Sequence, residues 1–204
     1  MKQSEDIAPS AAIADSYPLA RVQPEDTRME LNCTVAQGIL IHLRKHHGEA
    51  VMREIVAGTR MHLEYLMDGR FWISAGYLYR LMDAAVARTG NARLPFEAGQ
   101  AFGDPRSHGI IVQFLRHLGS PAAVYRLVAQ FSSLWDKVNL WRITDLREDS
   151  CAIHVTFPAH GQSRNNCLAI QGYLTAAPRL LGLPTARVSH HDPCACDGGQ
   201  TCVY

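Results

Sequence analysis

The sequence has little net charge, no long apolar run and few of the short motifs that mark common functional sites. Its 204 residues carry 20 Lys and Arg against 19 Asp and Glu, so no strong electrostatic field favours nucleic acid or an anionic membrane. No stretch approaches the roughly 20 apolar residues of a membrane helix, and the amino terminus lacks the basic-then-apolar order of a signal peptide. We therefore expect a cytoplasmic protein that binds neither nucleic acid nor membrane.

Common catalytic motifs are also absent. The chain has no glycine-rich phosphate loop, no Gly-x-Ser-x-Gly elbow and no His-Glu-x-x-His sequence, which are the usual signatures of nucleotide hydrolysis, esterases and zinc proteases. Zinc deaminases need Pro-Cys-x-x-Cys, whereas this chain has a single residue between Cys194 and Cys196. We therefore expect that this chain is not itself an enzyme.

Hydrophobic periodicity predicts an α+β fold with a helical amino-terminal half. Residues 1–30 are polar and have no lasting period, which is typical of a flexible arm. Residues 31–204 are expected to form a single domain, because their number suits one ordinary hydrophobic core. From Thr34 to about Trp135, apolar residues recur at three- and four-residue steps, as they do in amphipathic helices. Ser74 and Ser120 are predicted to cap two of these helices.

A change of period near Val138 predicts a small antiparallel sheet. Residues 138–146 and 152–157 alternate in side-chain character, as the two strands of a hairpin do. Residues 165–181 return to a helical period with Pro178 as a kink, and residues 185–189 and 201–204 are predicted as two further strands. Residues 137–204 are thus expected to form a β-rich, zinc-binding subdomain: a hairpin, a helix and a second hairpin.

Four of the six cysteines lie in the last quarter of the chain, at Cys167, Cys194, Cys196 and Cys202. Clustered thiols in a cytosolic protein indicate metal before they indicate disulfides, and zinc prefers four thiolate or imidazole ligands. A glycine-rich turn can bring the thiols of Cys194 and Cys202 together, while the preceding helix adds a thiol and a histidine adds an imidazole. We predict a structural zinc site formed by Cys167, His191, Cys194 and Cys202, with Cys196 and His190 as alternative ligands.

The order of residues around these cysteines carries a family resemblance. In sequence order the chain has Cys167, Gly172-Tyr173, Gly182-Leu183-Pro184, His191, Cys194, Gly198 and Cys202. This order resembles the 4-vinyl reductase-like domain, a sensory module of phenol-responsive transcription activators that also precedes cyclase or kinase outputs. The chain departs from the family at two positions, because His191 stands where a glutamate is usual and Cys196 is extra. The resemblance implies an apolar small-molecule effector, a homodimer and a following output domain in the full-length protein.

The same resemblance implies a fold shared with the haem nitric-oxide-binding domain and with a vesicle-tethering subunit of Golgi traffic. In the haem version, one helix carries a proximal histidine and a Tyr-x-Ser-x-Arg motif binds the propionates. The corresponding segment, residues 123–139, has no histidine, and the propionate motif is absent. These absences argue against haem as a cofactor, and they leave His108 and His117 as the remaining axial candidates.

An aromatic stripe offers candidate ligand-binding residues beside the predicted zinc site. Its members are Phe114, His117, Tyr125, Phe131, Trp135 and Trp141. The same residue types line apolar pockets and plain aromatic cores, so both interpretations stay open. We predict a small-molecule-sensing regulatory domain with a structural zinc and an apolar effector pocket, which controls an attached output domain. The alternatives are a zinc-dependent enzyme or pigment-pathway reductase accessory, and a dimeric assembly module without a ligand.

Overall fold

The computed structural model describes residues 23–101, 120–157, 162–191 and 194–204, and the predicted α+β class is confirmed there. The helices in these ranges are α1 (Thr34–His47), α2 (Glu49–Gly58), α3 (Leu63–Met67), α4 (Ala75–Thr89), α5 (Leu94–Ala101), α6 (Pro121–Phe131) and α7 (Arg164–Ala176). The strands are β1 (Leu31–Asn32), β2 (Trp72–Ile73), β3 (Leu140–Thr144), β4 (Ala152–Thr156) and β5 (Thr201–Val203). None of the described helices is long and apolar enough to cross a membrane.

The predicted helix starts at Ser74 and Ser120 are confirmed by their hydrogen bonds. The Ser74 hydroxyl accepts from the Tyr77 amide at 3.0 Å, and the Ser120 hydroxyl accepts from the Ala123 amide at 3.2 Å. Each bond satisfies one of the amides that a helix start leaves without a partner. At its other end α4 stops at Gly90, which adopts a left-handed conformation with φ +69°.

A first hydrophobic core, the helical core, lies among α1 to α5. Helix α1 buries Ile39, Leu40 and Leu43, and α4 buries Tyr77 and Leu81, with helical spacing in both. A two-stranded sheet, β1 with β2, lies beside this core. The sequence did not predict these strands, because two residues are too few to show an alternating period.

The predicted hairpin is confirmed as β3 and β4, which pair antiparallel. A third strand, β5, pairs with β4 and gives the order β3-β4-β5. The predicted strand at residues 185–189 forms no ladder; its Ala186 amide donates to the Thr175 carbonyl of α7 instead. Among the described residues of this approach, His191 alone bridges to Val203 of β5. The segment thus contacts α7 at Ala186 and pairs with the sheet at His191.

Helix α7 ends at Ala176, two residues before the predicted kink at Pro178, and a 3-10 helix (Ala177–Leu181) continues it. Helix α7 crosses α5 through two glycines. A Cβ atom on Gly99 would overlap the Ala169 carbonyl oxygen, and one on Gly172 would overlap the Phe96 carbonyl oxygen. The two backbones are therefore in direct contact at this crossing.

Residues 1–22 of the predicted arm lie outside the described residues. The described end of that segment forms a 3-10 helix (Pro24–Thr27). Asp26 of this turn is buried and pairs with Arg80 on α4.

Candidate metal centre

Three different elements position the three buried thiols of the carboxy-terminal region. Cys167 lies in the first turn of α7, Cys194 precedes a 3-10 turn (Ala195–Asp197), and Cys202 is the central residue of β5. The register places Cys202 opposite Val155 of β4, and both side chains are fully buried. Because side chains alternate along a strand, this register turns the Cys202 thiol into the core.

The ligand atoms lie at the spacing of a tetrahedron. The Sγ atoms are separated by 3.7 Å between Cys167 and Cys194, 4.0 Å between Cys167 and Cys202, and 3.5 Å between Cys194 and Cys202. The Nε2 atom of His190 lies 3.6 Å from the Cys167 sulfur. Zinc–sulfur bonds of about 2.3 Å in tetrahedral geometry give sulfur–sulfur edges of about 3.8 Å. These four residues could therefore hold a metal ion with little rearrangement.

The imidazole beside the thiols belongs to His190 and not to the predicted His191. His190 is half-buried and stacks on the ring of Tyr204, with centroids 4.9 Å apart. His191 is exposed, and its backbone amide donates to the Val203 carbonyl at 2.9 Å. Neighbouring side chains of an extended segment point to opposite sides. Only one of the two histidines can therefore face the thiols.

Cys196 lies beside the tetrahedron and is not one of its corners. Its sulfur is 3.2 Å from that of Cys194, which is shorter than the edges between the other thiols, and its backbone amide donates to the Cys194 sulfur at 3.3 Å. It is half-buried, whereas the three thiols of the cluster are buried. The remaining cysteines, Cys33 and Cys151, lie in the helical core and at the start of β4.

Burial and neighbouring thiols disfavour the ionisation of Cys202 and Cys196 when no cation is bound. The hydrogen bond to Cys167, together with burial, raises the pKa of Cys202 above its usual range. Burial and the hydrogen bond with Cys194 raise the pKa of Cys196 to about 12. A bound divalent cation favours the thiolate form of its ligands. Cys202 and Cys196 therefore keep their protons when no metal is bound, and a bound divalent metal would turn its ligands into thiolates.

Tyr204 is a residue of this site that the sequence did not indicate. Its ring is buried, and its hydroxyl lies 3.1 Å from the Cys167 sulfur. Burial, followed by the charge of Cys167, raises the pKa of Tyr204 strongly, so the hydroxyl keeps its proton. A hydroxyl that donates to a metal-bound thiolate fixes the orientation of that ligand. A tyrosine two residues after a ligand in a strand, on the same face as that ligand, is the signal that could have identified it.

The aromatic stripe is only partly visible, because Phe114 and His117 lie outside the described residues. The Tyr125 hydroxyl donates to the Leu174 carbonyl of α7 at 2.9 Å, and the Trp141 indole donates to the buried Asp136 carboxylate at 3.0 Å. Both rings pack against the core of the carboxy-terminal region. The other two described members of the stripe are Phe131 and Trp135. The side chain of Phe131 is exposed, and the backbone carbonyl of Trp135 accepts a hydrogen bond from the Asn32 amide of β1. The apolar effector pocket stays a prediction.

Comparisons with known proteins identify the fold. No family model matches the sequence, and a search of curated proteins gives no match. The chain is similar to the crystal structure of an H-NOX protein from S. oneidensis in the Fe(II)NO ligation state, with 12% identity and a TM-score of 0.63 over 85% of this chain and 96% of that one. It is also similar to the Fe(II) unliganded H-NOX protein from K. algicida, with 10% identity and a TM-score of 0.62 over 85% of this chain and 94% of that one. At these identities the likeness shows the haem-NO-binding fold.

These likenesses contradict the prediction that haem is an improbable cofactor. A third similar structure, with 11% identity and a TM-score of 0.57 over 85% of this chain and 97% of that one, is described by the modulation of its haem redox potential through porphyrin distortion. The prediction depended on missing motifs, and a missing motif does not exclude a different axial ligand. Helix α6 carries no histidine, and the hydroxyl of its Tyr125 is bonded to Leu174. The remaining axial candidates from the sequence, His108 and His117, lie outside the described residues. Haem is therefore a candidate ligand on the strength of the structural likenesses, and it has to be tested.

Proposed function

We propose that this chain is a small-molecule-sensing regulatory domain whose carboxy-terminal region is held together by a structural zinc ion. The single observation that supports the zinc is the tetrahedral spacing of Cys167, His190, Cys194 and Cys202. The likeness to H-NOX proteins supports the sensing role, because the structures of this fold are described with iron and nitric oxide as ligands. The same cysteine positions carry the resemblance to the 4-vinyl reductase-like domain, and we propose that branch of the fold for this chain.

The proposed zinc has a structural role and not a catalytic one. Catalytic zinc sites keep one coordination position open for water or substrate, whereas structural sites use four protein ligands. Here three thiols and one imidazole supply all four corners, and the thiols are buried. A zinc-dependent enzyme is therefore the less favoured interpretation. Reduced thiols suit the cytoplasm, which we propose as the compartment.

The sensed molecule is an apolar small molecule or a haem group that presents iron to a gas. Binding would shift the population between two arrangements of a homodimer and so control an attached output domain. The purified chain tests this by mass spectrometry of its denatured extract together with its visible absorption spectrum. A Soret band with iron in the elemental analysis would identify haem, and a co-purifying organic mass would identify the apolar effector. If neither is found and added haem does not bind, the assembly module without a ligand is favoured.

Elemental analysis of the same purified chain tests the metal. We expect about one zinc per chain, and we expect that the Cys202→Ser variant loses it. Cys151→Ser is the matched control, because Cys151 is also a free cysteine but lies outside the cluster. A folded wild-type chain without metal, which also binds no added zinc, would disprove the zinc site. The sensing role would then have to rest on the ligand experiment alone.

A further inference from the structure

We propose that Cys196 is an oxidation site, at which hydroperoxides form a Cys194–Cys196 disulfide that removes one ligand from the metal. The formation of the disulfide follows from the thiol geometry alone, and the release of metal rests on the proposed zinc site. The contact that points to it is the 3.2 Å distance between the two sulfur atoms. It is shorter than any sulfur–sulfur distance among Cys167, Cys194 and Cys202.

The backbone of the turn already holds the two sulfurs close together. The Cys196 amide donates to the Cys194 sulfur, so the 3-10 turn (Ala195–Asp197) folds back over the first thiol. The turn is fixed on its outer side by the Asp197 carboxylate, which accepts from the Arg164 guanidinium of α7 at 2.9 Å. A disulfide needs a sulfur–sulfur distance of about 2.05 Å. The sulfurs must therefore approach by about 1 Å, a displacement that side-chain rotation can supply.

Cys196 differs from the other thiols of the cluster in two ways: it is more exposed, and it is not one of the proposed metal ligands. It is half-buried, whereas Cys167, Cys194 and Cys202 are buried. It is also not a corner of the tetrahedron, so its sulfur keeps its lone pairs when the metal is bound. Oxidation of cysteine follows thiolate character and access. Burial and the hydrogen bond with Cys194 raise the pKa of Cys196 and slow its reaction, so access is the property that distinguishes it from the three buried thiols. Cys196 is therefore the thiol of this cluster that a peroxide reaches first.

The reaction balances with hydrogen peroxide as the oxidant. In the first step the Cys196 sulfur attacks one peroxide oxygen, the O–O bond breaks, an S–O bond forms, and one water leaves with the thiol proton. In the second step the Cys194 sulfur attacks the sulfenic acid sulfur, the S–O bond breaks, the S–S bond forms, and a second water leaves with the Cys194 thiol proton. Where Cys194 is a metal-bound thiolate, its bond to the metal would break in place of the S–H bond, and the proton would come from solvent. Two thiols lose two electrons in total, and one peroxide is reduced to two waters.

The disulfide weakens the metal site because it consumes a ligand. Cys167, His190 and Cys202 would remain, and a site with three protein ligands binds structural zinc less tightly than a closed site with four. The free energy of metal binding contributes to folding. Oxidation at Cys196 would therefore loosen the contact between α7 and β5 while leaving the helical core intact. In a sensor domain, this couples peroxide to the stability of one region.

The test compares the wild-type chain with Cys196→Ser and with the matched control Cys151→Ser, which changes a half-buried cysteine outside the cluster. Each chain is treated with excess hydrogen peroxide, and zinc release is followed with a chromogenic chelator. We expect the wild type and Cys151→Ser to release zinc about tenfold faster than Cys196→Ser. Equal rates in wild type and Cys196→Ser would overturn the release of metal through Cys196. A Cys196→Ala variant replaces Cys196→Ser if the serine variant does not fold.

Peptide mapping tests the bond itself and does not depend on zinc. Cleavage before Asp192 and Asp197 yields a peptide with Cys194 and Cys196 but without Cys202. We expect this peptide to become about 2 Da lighter after oxidation and to resist alkylation. A disulfide from Cys194 to Cys202 or to Cys167 would overturn the proposal. The mapping is repeated on chelator-treated chain, so the disulfide is tested even if the chain holds no zinc, an outcome that would disprove only the proposed zinc site.

Discussion

The helical core and the carboxy-terminal region bury different types of side chain. The helical core, among α1 to α5, buries mostly aliphatic and aromatic side chains, such as Leu40, Leu66 and Tyr77. The carboxy-terminal core, between α7 and the three-stranded sheet, has few aliphatic residues and buries Cys167, Cys194 and Cys202 among them. A core this small rarely supplies enough hydrophobic free energy by itself. One chain thus combines a region stabilised by burial with a region for which we propose stabilisation by a metal.

The two regions also differ in how their helices begin. Helix α4 has a side-chain hydrogen bond at its start and a left-handed glycine at its end. Helix α7 starts at Ser163 without a side-chain cap bond and ends without a left-handed residue. An uncapped helix depends more strongly on tertiary contacts. For α7 these contacts are the thiol cluster in its first turn and the glycine crossing with α5.

The largest effect is expected when the thiol cluster loses one of its proposed metal ligands. Cys202→Ser removes a buried thiol that lies 3.5 Å from the Cys194 sulfur. Because binding energy of structural zinc is folding energy, we expect the free energy of unfolding to fall by about 4 kcal/mol or more. Urea unfolding measures this, and amide hydrogen exchange locates it: exchange should accelerate in α7 and β5 but not in α1 and α4.

Cys151→Ser is the control for this variant, because Cys151 is half-buried and does not belong to the thiol cluster. We expect its unfolding midpoint to match the wild type. If both variants unfold like the wild type, the carboxy-terminal region is stabilised by packing alone and the contrast between the two regions fails.

The sequence predicted the helical region more completely than the metal site, and the reason is physical. Helix periods and caps are local signals, so α1, α4 and the cap at Ser74 follow from neighbouring residues. The choice between His190 and His191 depends on which side of an extended segment faces the thiols, and that is set by the bridge to Val203. The partnership of Tyr204 with Cys167 joins residues 37 positions apart. Spacing alone could predict the thiols of the cluster but not the imidazole.

The second prediction concerns the crossing that joins the two regions. Gly99→Ala or Gly172→Ala would place a methyl group on a carbonyl oxygen of the facing helix. Overpacking against backbone cannot relax by side-chain rotation, so we expect a loss of about 3 kcal/mol in the free energy of unfolding. Gly58→Ala is the matched control, since a Cβ atom there meets nothing within 4 Å. It should be neutral or stabilising by up to about 1 kcal/mol in urea unfolding. Equal effects of all three variants would mean that α5 and α7 do not touch.

The third prediction tests whether the helical region has its own sensitivity to acid. Burial and the charge of His46 lower the pKa of His42 to about 4 from an ordinary 6.5, although Glu97 of α5 opposes the shift and His47 and Lys45 add to it. The unfolded chain therefore binds more protons than the folded chain between these two values. Stability is lost as the pH falls through this window, by about 2 kcal/mol at pH 5.

His42→Gln removes this contribution and so measures it. The difference in free energy of unfolding between pH 7 and pH 5 should be smaller in the variant than in the wild type by that amount. Protonation of the thiol cluster affects both chains equally and cancels in the comparison. Parallel pH curves for the two chains would mean that His42 is not held neutral by the fold.

The smallest effect is expected from the helix caps, and it compares the two regions directly. Ser74→Ala removes the hydroxyl that accepts from the Tyr77 amide, and this amide is buried, so the variant should lose about 1 kcal/mol in the free energy of unfolding. Ser163→Ala is the matched change at α7, where the serine makes no side-chain cap bond, and it should change stability by less than about 0.5 kcal/mol. Urea midpoints of both variants check this. A larger loss at Ser163 than at Ser74 would show that α7 is stabilised at its start by its own residues, and the proposed dependence of α7 on the thiol cluster would be refuted.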